Sequence, residues 1–246
     1  MVENILMPYR TFNLEEAAAY LNIDLSELKT LVKNGEIPYE QRGNKIVFRR
    51  GEIDDWASKR IIGMEKQKLT KYHKTSSDKA KKTPFAEALM PALLKKEFIF
   101  PNLSAKTKPS VLREMAKLAS GTGLVSDADE LAKELIEREE LCPTGLPGGI
   151  AVLHTRNRHP YMFVESFIAI GRSIQKIFFG APDGEPTDLF FLICCKEDQL
   201  HLHTLARVCM MALNSSMLES LRSAENAEQM YEIIIQSEQE VLQKKS

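Results

Sequence analysis

Apolar residues recur at helical spacing near the start of the chain and predict two short helices. The first follows Asn13, which can cap it, and ends at Asn22. The second begins near Asp24, turns Leu28 and its apolar neighbours inward, and ends at Asn34-Gly35, a pair typical of a helix C-terminus. Two helices joined by so tight a turn predict a helix-turn-helix.

The next residues predict a hairpin and a third helix. Extended pieces at 39–41 and 45–49 surround the turn Arg42-Gly43-Asn44, which makes them a candidate wing. Residues 52–56 start a helix that can place Trp56 on the other two. Residues 1–60 therefore predict one small domain.

Residues 61–88 lack apolar periodicity and are rich in lysine. Thr75, Ser76, Ser77 and Pro84 are expected to interrupt any helix, so this stretch is interpreted as a linker. Its lysines could add salt-dependent affinity for DNA, or simply keep a tether soluble.

Strands alternate with helices from residue 89 to the end of the chain. The pattern predicts helices at 92–97, from Ser110 to 121–123, from Asp127 onward, at 201–215 and around Tyr231. Strands are expected at 150–153, 163–171 and 189–195. The expected fold is an α/β sandwich, a mixed sheet with helices on both faces, preceded by the small helix-turn-helix domain.

The stretch from Arg138 to His154 is the strongest candidate for chemistry. It reads REELCPTGLPGGIAVLH and ends an apolar strand on a histidine after a glycine-rich turn. Since glycine backbone can come close to an anion, a phosphoryl site is one interpretation. A hairpin edge with an incidental histidine is the other.

Composition narrows these possibilities. The chain has 246 residues and a formal net charge of -1, so any affinity for nucleic acid must come from local patches. No segment has the length and apolarity of a signal peptide or a membrane span, and a cytoplasmic location is expected. The four cysteines have no metal-ligand spacing and are interpreted as buried thiols; neither metal nor cofactor is expected.

Residues 9–60 resemble the excisionase-type, MerR-like winged helix-turn-helix family. The resemblance rests on LEEAAAYL followed by KNGEIPYEQRGNKIVFRRGEIDDW. It implies that the second helix enters the major groove of DNA while the wing contacts the backbone. The implied DNA-binding residues are Lys29, Thr30, Lys33, Arg42, Lys45, Arg49 and Arg50. Because residues 1–60 hold about as many acidic as basic side chains, a domain that kept the fold for protein contacts is the alternative.

Residues 89–243 resemble the fructose, mannitol and nitrogen-regulatory type of enzyme IIA of the bacterial phosphotransferase system. The motifs agree in order and spacing: Arg138-Glu139, Thr144-Gly145, GIAVLH at 149–154, AIGR at 169–172, FGAPDGEPTDLFFLI at 179–193 and HLHTLARV at 201–208. The resemblance implies that His154 accepts a phosphoryl group, that His201 and Thr144 help to hold it, and that Arg138 neutralises its charge. Leu153 departs from the family, which usually has proline before the acceptor histidine.

Two alternatives remain for the other site residues. Arg138 could form a surface ion pair with Glu134, and His201 could be an ordinary polar residue at the start of a helix. His73 and His159 are interpreted as solvated.

Together the resemblances imply a regulatory phosphocarrier, a phosphotransferase component rather than a free-standing enzyme. His154 would receive phosphate from an HPr-like protein, and its charge would alter DNA binding by the N-terminal domain. The alternatives are a transport-coupled IIA that passes phosphate to a IIB partner and a binding module that is not phosphorylated. Paired DNA half-sites would be compatible with a homodimer.

Overall fold

The computed structural model describes residues 11–80, 88–155 and 161–243. Its N-terminal part is a winged helix-turn-helix. The elements are β1 Thr11–Phe12, α1 Leu14–Leu21, α2 Leu25–Lys33, β2 Glu40–Arg42, β3 Lys45–Arg49 and α3 Arg50–Ile62. Asn13 caps α1 as predicted, and its carboxamide oxygen accepts a hydrogen bond from the backbone of Glu16. The expected hairpin is present, and β1 completes a three-stranded sheet in the order β1-β3-β2.

Residues 66–80 correct the prediction of an unstructured linker. Lys66–Ala80 form a fifteen-residue helix, α4, in spite of Thr75, Ser76 and Ser77. Thr75 donates its hydroxyl to the carbonyl of Lys71, and Ser76 donates to that of His73. These hydroxyls are satisfied by helix carbonyls and do not end the helix. Lys81, Lys82 and Pro84 lie outside the described residues, and the domain boundaries at 60 and 88 stay predictions.

The second part is built on a mixed five-stranded sheet. Its strands are β4 Ile99–Leu103, β5 Gly145–Leu146, β6 Ile150–His154, β7 Phe167–Ile177 and β8 Thr187–Cys194, in the order β4-β7-β8-β6-β5. β6 runs parallel to β8 and β4 runs parallel to β7, whereas β7 and β8 are antiparallel. The central strand β8 is buried along its whole length, as a strand covered on both faces should be.

Helices cover the sheet and confirm the expected α/β architecture. They are α5 Met90–Leu93, α6 Lys108–Ser120, α7 Ala128–Leu141, α8 Asp198–Ala212, α9 Ser215–Ser223 and α10 Ala227–Gln243. α6 and α7 pack against each other and on β6 and β7, while α8 packs on β6 and β8 together with α9 and α10. Asp127 caps α7 through its carboxylate, as expected.

Several boundaries differ from the sequence prediction. The cap of α6 is Thr107 rather than Ser110, because Pro109 fits the first helical turn and Ser110 completes a capping box. β7 begins at Phe167 rather than Phe163, which instead forms an isolated bridge with Val125. The helix expected at 92–97 is split between α5 and a 3-10 turn at Lys96–Phe98. The separate helix α9 was not predicted.

Helix α8 is enclosed by both parts of the molecule. One of its sides packs on the sheet, and α1, α3 and α4 pack on another. Every side chain from Leu200 to Cys209 is buried, including the charged Arg207 and two histidines. The N-terminal helices and the sandwich therefore share this helix.

Candidate functional site

His154 lies at the carboxyl end of β6. The strand is in register with β8, so that Leu153 lies beside Leu192 and His154 beside Ile193. Leu153, unlike the proline usual in the family, keeps a backbone N–H and is compatible with a strand that continues to His154. The imidazole is only 2% exposed.

Two hydrogen bonds fix the protonation of the His154 ring. Its Nδ1 lies 3.0 Å from the carbonyl oxygen of Val152. Because a carbonyl only accepts, Nδ1 carries the proton and donates it. The Nε2 atom then has a lone pair, which accepts a hydrogen bond from Nε of Arg138 at 3.0 Å.

Arg138 lies in the last turn of α7 and is itself buried, with 2% of its surface exposed. A surface ion pair with Glu134 is therefore excluded. Its NH1 group donates to the carbonyl of Cys142, while NH2 has no hydrogen bond to any residue that the structure describes. One face of the guanidinium fork is thus available to an anion at His154.

Electrostatics favour the neutral form of His154. Burial is the main cause that lowers its pKa well below the usual value of 6.5, and the positive charge of Arg138 lowers it further. Burial also lowers the pKa of Arg138, although a guanidinium stays protonated at neutral pH. A neutral imidazole with its lone pair beside a cation is suited to nucleophilic attack on an anionic group.

His201 lies in the first turn of α8, next to His154. The two ring centroids are 5.2 Å apart, and His201 is 1% exposed. Its backbone N–H donates to the carbonyl of Glu197, so the free N–H groups of this helix belong to the residues before it. The structure therefore brings together His154, His201 and Arg138.

Thr144 is linked to His154 through the backbone of Val152, but its hydroxyl is bound to Glu139. Its hydroxyl donates to the carboxylate of Glu139 at 2.6 Å, and its carbonyl accepts from the backbone of Val152. Glu139 also accepts from the ammonium of Lys108 at 2.7 Å. Sequence reasoning gave no role to Glu139 or Lys108, although Glu139 directly follows Arg138 in the motif.

The position of the glycine-rich turn does not fit its interpretation as part of a phosphoryl site with His154. Gly148 and Gly149 precede β6, whereas His154 ends it, which separates Gly149 from His154 by about 17 Å at 3.3 Å per residue. Gly148 donates its N–H to Asp183, and a side chain at Gly149 would collide with Arg222. This turn packs against the sandwich and does not form part of the pocket around His154.

Helix α3 of the N-terminal part lies close to the same pocket. Asp54 is 4% exposed and accepts a hydrogen bond from the hydroxyl of Tyr20 at 2.6 Å. The charges of Asp54 and Asp55 both raise the pKa of Arg138, and Asp54 also raises that of His154, against the stronger effect of burial. The sequence gave no sign of this proximity, because it depends on how the two parts pack.

The predicted DNA-binding residues divide into two groups. Lys29, Thr30 and Lys33 are exposed on α2, and Lys45 is exposed at the tip of the wing. Glu27, the acidic residue on α2, is paired with Arg60 of α3 at 2.7 Å, which offsets its charge.

The arginines of the wing, Arg42 and Arg49, are exposed but paired with carboxylates. Arg42 pairs with Glu40 at 2.9 Å, and Arg49 pairs with both Glu40 and Glu52. Arg50, predicted to lie on or beside the wing, directly follows β3, begins α3 and is only 8% exposed.

Two further predictions concern isolated residues. His73 is buried on α4 and accepts a hydrogen bond from Nε of Arg207 at 2.6 Å, so its assignment as solvated is wrong. His159 lies outside the described residues. The cysteines are free thiols, of which Cys142 is half-buried and the other three are buried.

The described ranges contain no group of three or more His, Cys, Asp or Glu residues that could hold a metal ion. Within the same ranges, no helix combines the length and apolarity needed to cross a bilayer.

The fold and the site define a winged helix-turn-helix joined to a sandwich with a buried histidine pair. Residues 92–237 match the phosphoenolpyruvate-dependent sugar phosphotransferase system EIIA 2 family, and residues 11–61 match a helix-turn-helix domain. Since the first match spans more than half of the chain, the protein belongs to the EIIA type-2 family.

Similar proteins match a little over half of the chain. The nitrogen regulatory protein of Klebsiella oxytoca is 31% identical over 139 residues, which is 54% of this chain and 80% of that protein. The fructose-specific EIIABC component of Bacillus subtilis is 29% identical over 146 residues, or 58% of this chain, but the match covers only 22% of its own length. The crystal structure of nitrogen regulatory protein IIA-Ntr from Neisseria meningitidis has 26% identity and a TM-score of 0.55, and the match covers 60% of this chain and 99% of that one.

Proposed function

We propose that this protein is a regulatory phosphocarrier of the nitrogen-regulatory IIA type, which accepts a phosphoryl group on Nε2 of His154. The proposal rests on one observation above all. Nδ1 of His154 is tied to the Val152 carbonyl, so the lone pair of Nε2 faces the guanidinium of Arg138 at 3.0 Å.

The reaction needs positioning and charge neutralisation more than covalent help from the protein. A phosphohistidine on an HPr-like carrier would be the donor. As the Nε2 lone pair forms the new N–P bond, the N–P bond of the donor breaks and its electron pair returns to the donor ring. Arg138 would turn its N–H groups to the phosphoryl oxygens, and His201 lies within reach of the same group.

We further propose that phosphorylation controls binding of the winged helix-turn-helix to DNA. Exposed Lys29, Lys33 and Lys45 can contact phosphates, and α2 has the place of a recognition helix. The packing of α3 on α8, the helix that carries His201, gives a physical route from the histidine pair to the DNA-binding part.

Phosphoenolpyruvate, enzyme I and an HPr-like protein should label the wild type, and His154→Ala should remain unlabelled. A wild type that takes no label would refute the phosphocarrier function. Gel-shift titrations of both forms then test the regulation, and equal DNA affinity with and without phosphate would refute the coupling. Transfer of the label onward to a purified IIB protein would favour the transport-coupled alternative.

A further inference from the structure

The N-terminal part covers the pocket that holds His154. Helices α1 and α3 pack on α8, and α8 supplies His201 to the pocket. In this arrangement His154 and His201 are 2% and 1% exposed. The ring of His154 would therefore have to be uncovered before the donor histidine of another protein could approach its Nε2 atom.

Helix α4 is fixed to the sandwich by buried polar contacts. On α4, His73 accepts from Arg207 at 2.6 Å, and Ser76 lies 2.8 Å from Nδ1 of His203, both contacts being buried. Arg207 is in turn paired with Glu238 of α10. Residues 11–62 precede α4 and join it through the short turn around Gly63, which is where the backbone would bend if they moved while α4 stayed in place.

The cover brings negative charge to the site. Asp54 and Asp55 of α3 interact electrostatically with the guanidinium of Arg138, and Asp54 also acts on His154. Tyr20 holds the Asp54 carboxylate from within the N-terminal part, so the charge is delivered by the whole unit. Arg138 is also the cation that would neutralise a phosphoryl group on His154.

We propose that residues 11–62 act as an intramolecular lid, in which Asp54 and Asp55 take the electrostatic place of the phosphoryl group beside Arg138. Closure of the lid and phosphorylation of His154 then exclude each other. This inference rests on the proposed function and adds to it a mechanism of regulation at the same site.

The closed lid blocks phosphorylation by limiting access to His154, and phosphorylation blocks closure by adding negative charge. Before transfer, the lid must leave α8 for a carrier protein to approach His154. After transfer, a phosphoryl group with a charge of roughly -1.5 to -2 lies where the two aspartates would return. Like charges in a poorly solvated pocket repel each other strongly, so the phosphorylated protein stays open.

The first test compares rates of phosphorylation. The double variant Asp54→Asn/Asp55→Asn keeps the shape of both side chains and removes their charge, and the single variant Asp55→Asn leaves the Tyr20–Asp54 bond intact. Each should be phosphorylated about fivefold faster than the wild type or more, the lower end of ordinary coupling between sites. Glu52→Gln removes a charge from an exposed residue of the same helix and should have the wild-type rate.

Two phosphoryl donors separate this inference from the proposed function. One is the HPr-like carrier, and the other is phosphoramidate, a small reagent that phosphorylates histidine without a protein partner. Faster labelling of His154 by phosphoramidate in the aspartate variants supports the lid, even if the carrier labels no form and the proposed function fails. Equal or slower labelling by phosphoramidate in these variants overturns the lid.

Trp56 provides a second, independent measurement. It is the only tryptophan of the chain, lies on α3, and lines the cleft between α3 and α4. Its indole N–H donates to the carbonyl of Glu36 within the lid. Acrylamide should quench its fluorescence more readily after His154 is phosphorylated, and in the unphosphorylated Asp55→Asn variant. Unchanged quenching in both would overturn the lid.

Discussion

Substitution of Arg138 provides the most direct test of the chemistry at His154. Arg138→Gln removes the positive charge and the Nε donor that lies 3.0 Å from His154. We expect phosphoryl transfer to His154 to become slower, because the charge of the phosphoryl group is then no longer neutralised. Arg138→Lys keeps one charge but loses the planar fork, so its rate should lie between those of the wild type and Arg138→Gln.

The size of the effect follows from the hydrogen bonds that Arg138 can make. In the described structure its Nε group binds His154, and its NH2 group has no hydrogen-bond partner among the described residues. Both can turn to phosphoryl oxygens. A hydrogen bond to a charged group contributes about 1.5–3 kcal/mol. Since ~1.4 kcal/mol is a factor of ten in rate, loss of one such bond should slow transfer by roughly 10- to 150-fold.

Single-turnover labelling from a prephosphorylated HPr-like carrier measures this rate directly. Arg113→Gln is the matched control, because Arg113 is exposed on α6, away from His154. Thermal unfolding of each variant shows whether the fold is retained. If Arg138→Gln folds and accepts phosphate within about twofold of the wild-type rate, the role of Arg138 is wrong.

Three further predictions concern stability, pH and DNA. Glu238→Ala leaves Arg207 buried without its carboxylate partner and should lower the free energy of unfolding by about 3–5 kcal/mol in urea titrations; a loss below ~1 kcal/mol would contradict the importance of this pair. The low pKa of His154 means that below pH 6.5 the unfolded chain binds a proton there that the folded chain does not, so stability should fall as the pH is lowered, and less steeply in His154→Gln; identical slopes would contradict the shift. Lys33→Gln should weaken binding to DNA of any sequence and reduce the salt dependence by about 0.9 in log-log slope, as for one lost phosphate contact, and an unchanged slope would exclude Lys33 from the interface.

Local signals predicted the architecture well. Asn13 and Asp127 cap helices because their side chains reach backbone N–H groups within three residues, which depends on nearby sequence alone. The alternation of strands and helices predicted the sandwich for the same reason. Neighbouring Thr and Pro explain why the start of α6 was misplaced by a few residues.

Features that depend on packing between the two parts could not be predicted. Helix α4 carries several serine and threonine residues, and its burial on α8 outweighs their weak preference for helix. The sequence predicted that His73 is solvated, but the residue accepts a hydrogen bond from Arg207, which lies 134 residues further along the chain. The proximity of Asp54 to Arg138 could not be predicted for the same reason, because it depends on how α3 packs on the sandwich.

The candidate site shows a similar division. The resemblance to enzyme IIA gave His154, His201 and Arg138, which the structure brings together. It gave no role to Glu139, whose carboxylate binds both Thr144 and Lys108. Charge alone does not predict an acidic residue next to an arginine that is proposed to bind phosphate. The hydrogen bonds of Glu139 to Thr144 and Lys108 explain its presence.

The burial of α8 on two sides limits how far this protein can be divided. Although the EIIA type-2 match begins at residue 92, a cut at residue 88 would expose the side of α8 that faces α4. Arg207 would lose its bond to His73, and His203 its contact with Ser76. We therefore expect the isolated sandwich to be less soluble than a single-domain relative. We also expect that replacing α8 with the equivalent helix of such a relative would leave α4 without a matching surface. In this chain α4, which lies between the two family matches, belongs to the folding unit of the sandwich.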